Sequence, residues 1–89
     1  MSATPSPTVR APDHRAQILA IRALSHRHGA QVTRALIQWA HESPLGAVRG
    51  EAIRALAKRP VPRSELVRLR LHEQSTYLLE QLDALIALS

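Results

Sequence analysis

Apolar residues recur every three or four positions along most of the chain, which is the spacing of one face of an α-helix. The first such stretch runs from Pro12 to His28 and is followed by Gly29. Proline is tolerated at the first helical position, Asp13 suits the positive end of the helix dipole, and glycine commonly follows a last turn. The pattern therefore predicts a first helix over residues 12–28.

Two further helices are predicted over residues 30–42 and 44–58, separated by a Ser-Pro turn. Serine can cap a helix, and proline fits the first turn of the helix that follows. Pro60 and Pro62 end the second of these helices, because two prolines within three residues exclude a continuing helix.

The last apolar stretch extends from Glu65 to Leu88, and Ser64 is expected to cap it. Its apolar side contains one small polar residue, Ser75, where a neighbouring helix has room to approach. A continuous helix of this length measures about 36 Å at about 1.5 Å per residue. We therefore expect an all-α protein, a small four-helix bundle in which three short helices pack on one long C-terminal helix.

The far end of this long helix carries more apolar surface than three short helices can cover. Its acidic residues (Glu73, Glu80 and Asp83) lie on the opposite side and are expected to face water. On this interpretation, replacing Leu85 costs less stability than replacing Leu71. The expected protein interface consists of the apolar stripe and one neighbouring aromatic residue: Leu78, Leu79, Leu82, Leu85, Ile86 and Tyr77.

The chain has 89 residues and a mass of 9.8 kDa, so it has room for one domain. Residues 1–11 are rich in Ser, Thr and Pro and are expected to form a disordered tail before a single helical domain at 12–89. Cysteine is absent, which excludes disulfides and thiolate chemistry. No signal peptide or membrane span is apparent, and a cytoplasmic location is expected.

Charge is unevenly distributed along the chain. The formal net charge is +5, and eleven of the twelve basic residues are arginine, which is typical of a GC-rich bacterial or phage genome. Residues 1–70 carry a net +8 and residues 71–89 a net −3. This polarity is compatible with a partner surface, with self-association as a homodimer or head to tail, and with nucleic-acid binding.

The sequence contains no arrangement that indicates catalysis. His26 and His28 lie two positions apart, so on a helix they point in nearly opposite directions, and no carboxylate lies nearby to complete a metal site. Nucleophile elbows, glycine-rich phosphate loops and paired carboxylates are absent. We expect no enzyme activity, no metal and no cofactor.

The segment from Ala30 to Pro60 resembles a helical hairpin of the HEAT-repeat family. The resemblance rests on these features: Trp39 to Ser43 ending the first helix, the Ser43-Pro44 turn, and Val48-Arg49, Glu51-Ala52 and Ala55-Leu56 on the second helix. In that family the Val-Arg pair packs and bridges between neighbouring repeats, and arrays of hairpins bind proteins. The resemblance implies hairpin geometry and protein binding, but not a solenoid, which needs about three repeats.

The same two helices, residues 31–58, also match a helix-turn-helix, with basic side chains available for DNA: Arg49, Arg54, Lys58, Arg59 and Arg63. Against this, the third helix has no Asn, Gln, Ser or Thr to read bases, and Glu51 lies among its exposed positions. The favoured function is therefore a non-catalytic protein-binding module of adaptor, chaperone or inhibitor type. A DNA-binding regulator is the alternative, and an arginine-rich RNA-binding surface is a third interpretation.

Overall fold

The computed structural model describes residues 14–89, which form five α-helices of similar length and no strand. The all-α prediction is confirmed. The expected tail and the start of the first helix at Pro12 lie outside the described residues. The helices are α1 (His14–Ser25), α2 (Ala30–Glu42), α3 (Gly46–Leu56), α4 (Arg63–His72) and α5 (Thr76–Leu88).

The first three helices follow the sequence pattern closely. The structure gives α2 the predicted bounds, and it shortens α3 by two residues at each end. By contrast, α1 ends at Ser25, three residues before the predicted end, and the Ser25 hydroxyl donates to the Arg22 carbonyl at 2.6 Å. Gly29 directly precedes α2 with a φ of 115°, a conformation that glycine adopts at little cost. This glycine therefore starts α2 and does not end α1.

The predicted long C-terminal helix is wrong, because residues 73–75 separate it into α4 and α5. The Ser75 hydroxyl accepts a hydrogen bond from the Leu78 N–H and caps α5. The Glu73 carboxylate accepts from the N–H groups of Gln74 and Ser75, at 3.1 and 3.0 Å. These side chains bind N–H groups that a continuous helix would direct to its own carbonyls. At the start of α4, Pro62 occupies the cap position that was predicted for Ser64.

The helices form two layers. Helices α2 and α3 make one hairpin, and α4 and α5 make a second. Both α1 and α5 pack against α3, whereas α4 packs against α2 and not against α3. One layer therefore contains α1, α3 and α5, and the other contains α2 and α4.

Helices α2 and α4 run in the same direction. Thr33 near the start of α2 and Glu65 near the start of α4 line one groove. At the other end, the ring of His41 meets the ring of His72 edge-on, with centroids 5.6 Å apart. The second hairpin is thus stacked beside the first, with equivalent helices side by side.

The core is centred on α3, which contacts three other helices. Gly50 allows α5 to approach closely, because a Cβ at this position would lie 3.2 Å from Cδ2 of Leu78. Leu82 of α5 is completely buried. The buried apolar residues are Ile21, Leu36, Ala40, Val48, Ala52, Ile53, Ala55, Leu56, Leu66, Leu69, Leu78 and Leu82.

The two hairpins correspond to each other at an offset of 30 positions. Three pairs of buried residues share this offset: Leu36 and Leu66, Val48 and Leu78, and Ala52 and Leu82. The sequence pattern indicates one hairpin, over residues 30–60, whereas the structure contains two. Residues at equivalent positions can therefore be compared directly.

Within residues 14–89, no helix has the length and apolar character needed to cross a membrane.

Candidate binding surfaces

The residues predicted to form the apolar interface on α5 are mainly core residues. Leu78 and Leu82 are buried, so the expectation that they are exposed is wrong. Leu85 and Ile86 are half-buried and pack against the same core, and Leu79 is also half-buried. The reason is the break after α4, which turns α5 back onto α3 and covers its apolar side.

Tyr77 is the one residue of the predicted interface that lies on the surface, with 58% of its area exposed. It lies at the start of α5 beside a shallow cleft that also contains Gly46 and Gly50 of α3. Tyr77 is therefore accessible, but of the leucines expected to accompany it, Leu78 and Leu82 are buried and Leu85 packs against the core.

A pair of exposed apolar side chains lies on the outer side of α4. Val67 and Leu71 are 39% and 74% exposed and lie one turn apart. The equivalent positions in the first hairpin are Ile37 and His41, which lie on the side of α2 that α4 covers. We call Val67 and Leu71 the α4 stripe.

The predicted order of the two leucine substitutions is reversed by this geometry. Leu71 is largely exposed, whereas Leu85 is half-buried against the core. Replacing Leu85 is therefore expected to cost more stability than replacing Leu71.

The acidic side predicted for the C-terminal segment is not a free acidic surface. The Glu73 side chain is only 3% exposed and forms a bidentate pair with Arg49, with both N···O distances at 3.1 Å. Asp83 pairs with Arg70 across the second hairpin. Glu80 is the one acidic residue of this segment without a partner among residues 14–89.

The Arg49–Glu73 pair joins the two hairpins. Arg49 also donates to the Ser43 carbonyl at 3.0 Å, so one guanidinium connects the α2–α3 turn with the α4–α5 break. Burial alone raises the pKa of the Glu73 carboxyl. Hydrogen bonds from Arg49 and from the N–H groups of Ser75 and Gln74, together with the positive charge of Arg49, outweigh burial and lower this pKa below its usual value.

The structure separates the five residues of the predicted DNA surface. Arg49 is engaged in the buried pair, so it is not available to a nucleic acid. Arg54 lies on α3 and pairs with Glu51, which also binds Arg22. Lys58, Arg59 and Arg63 lie together in the α3–α4 connection and at the start of α4.

A groove of about 670 Å³ lies at the end where the α1–α2 and α3–α4 connections meet. Arg59 holds the two connections together by donating to the Thr33 hydroxyl at 2.9 Å and to the Gly29 carbonyl at 3.4 Å. The groove is lined by His28, Gly29, Ala30, Thr33, Arg34, Ile37, Arg59, Pro60, Pro62 and Glu65. We call the α1–α2 connection, the α3–α4 connection and the starts of α2 and α4 together the basic end.

At the opposite end, a small polar cavity of about 140 Å³ contains His41 and His72. The Nε2 atom of His41 is buried without a hydrogen-bond partner, and Nδ1 of His72 lies 3.0 Å from the Arg68 carbonyl. His26 and His28, which were not expected to bind a metal, lie after the end of α1, and both are exposed. No group of three His, Asp or Glu residues in the range 14–89 is arranged to hold a metal ion.

Sequence reasoning missed the Arg49–Glu73 pair and the α4 stripe. A local signal for the break existed in Ser75, a capping residue type preceded two positions earlier by an acid, but the apolar spacing on both sides concealed it.

Comparisons of this chain with protein-family models, with curated proteins and with solved structures found no match.

Proposed function

We propose that this protein is a non-catalytic protein-binding module, of adaptor, chaperone or inhibitor type, that docks its partner on the outer side of α4. The observation that carries the proposal is the exposure of Val67 and Leu71 at positions whose equivalents in α2 are covered by α4. A helix packed on α4 would cover this stripe as α4 covers the corresponding side of α2.

The surroundings of the stripe indicate the chemistry of the partner. Arg63 and Arg68 flank the stripe on α4, and neither has an acidic partner within residues 14–89. The complementary surface is an amphipathic helix with apolar residues three or four positions apart and acidic residues beside them. Full burial of one valine or leucine side chain contributes about 1.5–3 kcal/mol, so the stripe supplies a useful part of a binding free energy.

The proposal is tested by charge substitution on the stripe. Leu71→Glu is expected to abolish capture of the partner from extracts of the native host, because a carboxylate cannot be buried against an apolar helix without a large desolvation cost. The helical circular dichroism signal and the melting temperature should change little, since Leu71 is 74% exposed. Affinity purification with mass spectrometry identifies the partner, and light scattering shows whether it is a second copy.

The matched control is Leu19→Glu, the same change at an exposed leucine on α1. Retention of the partner by wild type and Leu19→Glu, together with its loss from Leu71→Glu, supports the α4 stripe. Equal capture by Leu71→Glu and wild type would contradict it, as would equal loss in both variants.

A further inference from the structure

We infer that the basic end binds the phosphate backbone of a nucleic acid without reading its sequence. This surface contains neither residue of the α4 stripe, although Arg63 at the start of α4 adjoins both surfaces, and the inference does not depend on the protein-binding proposal. The inference rests on a comparison of the Arg and Lys side chains that have an acidic partner among residues 14–89 with those that have none.

Three of the six acidic residues within 14–89 are paired with arginines outside the basic end. Glu51 lies 3.1 Å from both Arg22 and Arg54, on the α1–α3 side of the molecule. Glu73 pairs with Arg49 between the hairpins. The remaining pair joins α4 and α5, between Arg70 and Asp83. Four arginines thereby share three carboxylates away from the basic end.

The cations at the basic end have no such partners among residues 14–89. Arg59 donates only to neutral oxygen atoms, and Glu65 is the single acidic residue that lines the groove. Arg34 lines the groove and its side chain is exposed. The cations without an acidic partner among residues 14–89, in the two connections, the first two turns of α2 and the first turn of α4, are Arg27, Arg34, Lys58, Arg59 and Arg63.

The arrangement suits a polyanion better than a single carboxylate. The cations come from two connections and two helix starts, so they are distributed along the surface, as the repeated charges of a phosphate backbone require. Four of the five are arginines, whose planar guanidinium binds phosphate oxygens in pairs. The groove contains no Phe, Tyr or Trp ring for stacking, its one imidazole being His28, and no Asn or Gln to recognise base edges, so contacts to the backbone are favoured over recognition of sequence.

The experiment measures binding of a fluorescein-labelled 20-nucleotide single strand by anisotropy between low and physiological salt. Wild type should bind at low salt, with affinity falling as salt rises by a log–log slope of about −0.7 for each phosphate neutralised. The triple variant Arg27→Gln, Arg34→Gln, Arg63→Gln should lose at least about tenfold in affinity, and its slope should become shallower by about two. All three side chains are exposed, so circular dichroism should confirm an unchanged fold.

The control variant is Arg22→Gln, Arg54→Gln, Arg70→Gln, which removes the same formal charge from paired positions. If the position of the cations decides binding, the affinity of this variant should stay within about threefold of wild type, because none of its three substituted arginines belongs to the basic end. Equal loss in both variants would show that net charge alone is responsible and would overturn the inference. Absence of binding at low salt, equal binding of polyglutamate at the same ionic strength, or tight sequence-selective binding at physiological salt would each overturn it as well.

Discussion

Glu73→Ala is expected to lower the free energy of unfolding by about 3 kcal/mol, because it leaves Arg49 largely buried without its counter-ion. The substitution also removes the acceptor for the N–H groups of Gln74 and Ser75 at the break between α4 and α5. Urea denaturation followed by circular dichroism measures this loss. Glu80→Ala, at an exposed glutamate without a partner in the described part of the chain, should change stability by less than about 0.5 kcal/mol.

The stabilisation by Glu73 should depend on pH in a defined direction. Its pKa in the folded protein is lowered, so the charged carboxylate is favoured by folding. The contribution is therefore complete above the pKa of the unfolded chain, about 4.3, and is lost as the pH falls through the lower pKa of the folded state. The stability difference between wild type and Glu73→Gln should shrink on acidification below about pH 5, near the unfolded-state pKa. A difference that stays constant from pH 7 to pH 3 would contradict this role for the ion pair.

Leu82→Ala is expected to cost about 3 kcal/mol, because Leu82 is completely buried between α5 and α3 and its truncation leaves a cavity. Leu71→Ala removes the same atoms from a side chain that is 74% exposed and should cost less than about 0.5 kcal/mol. Chemical denaturation of both variants provides the comparison. Equal costs, or a larger cost at Leu71, would place α5 outside the core.

The sequence was sufficient to predict an all-α protein and the bounds of α2. Helical spacing of apolar residues, the Ser-Pro turn and the prolines at 60 and 62 are local signals, and each acts within a few residues. The same spacing misled beyond residue 72. The apolar positions before and after residues 73–75 stay in the same register, with Ser75 at the position between Leu71 and Leu78. The pattern therefore does not distinguish one long helix from two helices that fold back on each other.

One interaction at the break, the Arg49–Glu73 pair, joins residues far apart in sequence. Arg49 and Glu73 are 24 positions apart, and no local pattern relates them. From the sequence alone, Glu73 cannot be distinguished from a solvated glutamate on the surface of a helix. The misplaced interface followed from this error, because the fold-back buries Leu78 and Leu82 and leaves the α4 stripe uncovered.

The net charge could be predicted from the sequence, but the positions of the unpaired cations on the folded protein could not. Composition gives the excess of arginine, whereas only the fold shows that Arg49 is paired with Glu73 and that Arg59 lies beside the α1–α2 connection. Arg59 reaches Thr33 from 26 positions away. Tertiary contacts of this kind determine which cations remain available to a ligand.

The burial of Leu78 and Leu82 and the exposure of the α4 stripe both depend on the fold-back of α5 onto α4. The chain contains no cysteine, so Arg70→Cys and Asp83→Cys introduce two reporters at positions whose side chains form an ion pair in the structure. In a continuous helix these positions would be separated by about 20 Å, at about 1.5 Å per residue. A short bismaleimide should therefore join the two cysteines within one chain in native buffer, as measured by mass spectrometry of proteolytic fragments. Absence of this intramolecular cross-link, with both thiols reactive toward a monofunctional maleimide, would contradict the fold-back.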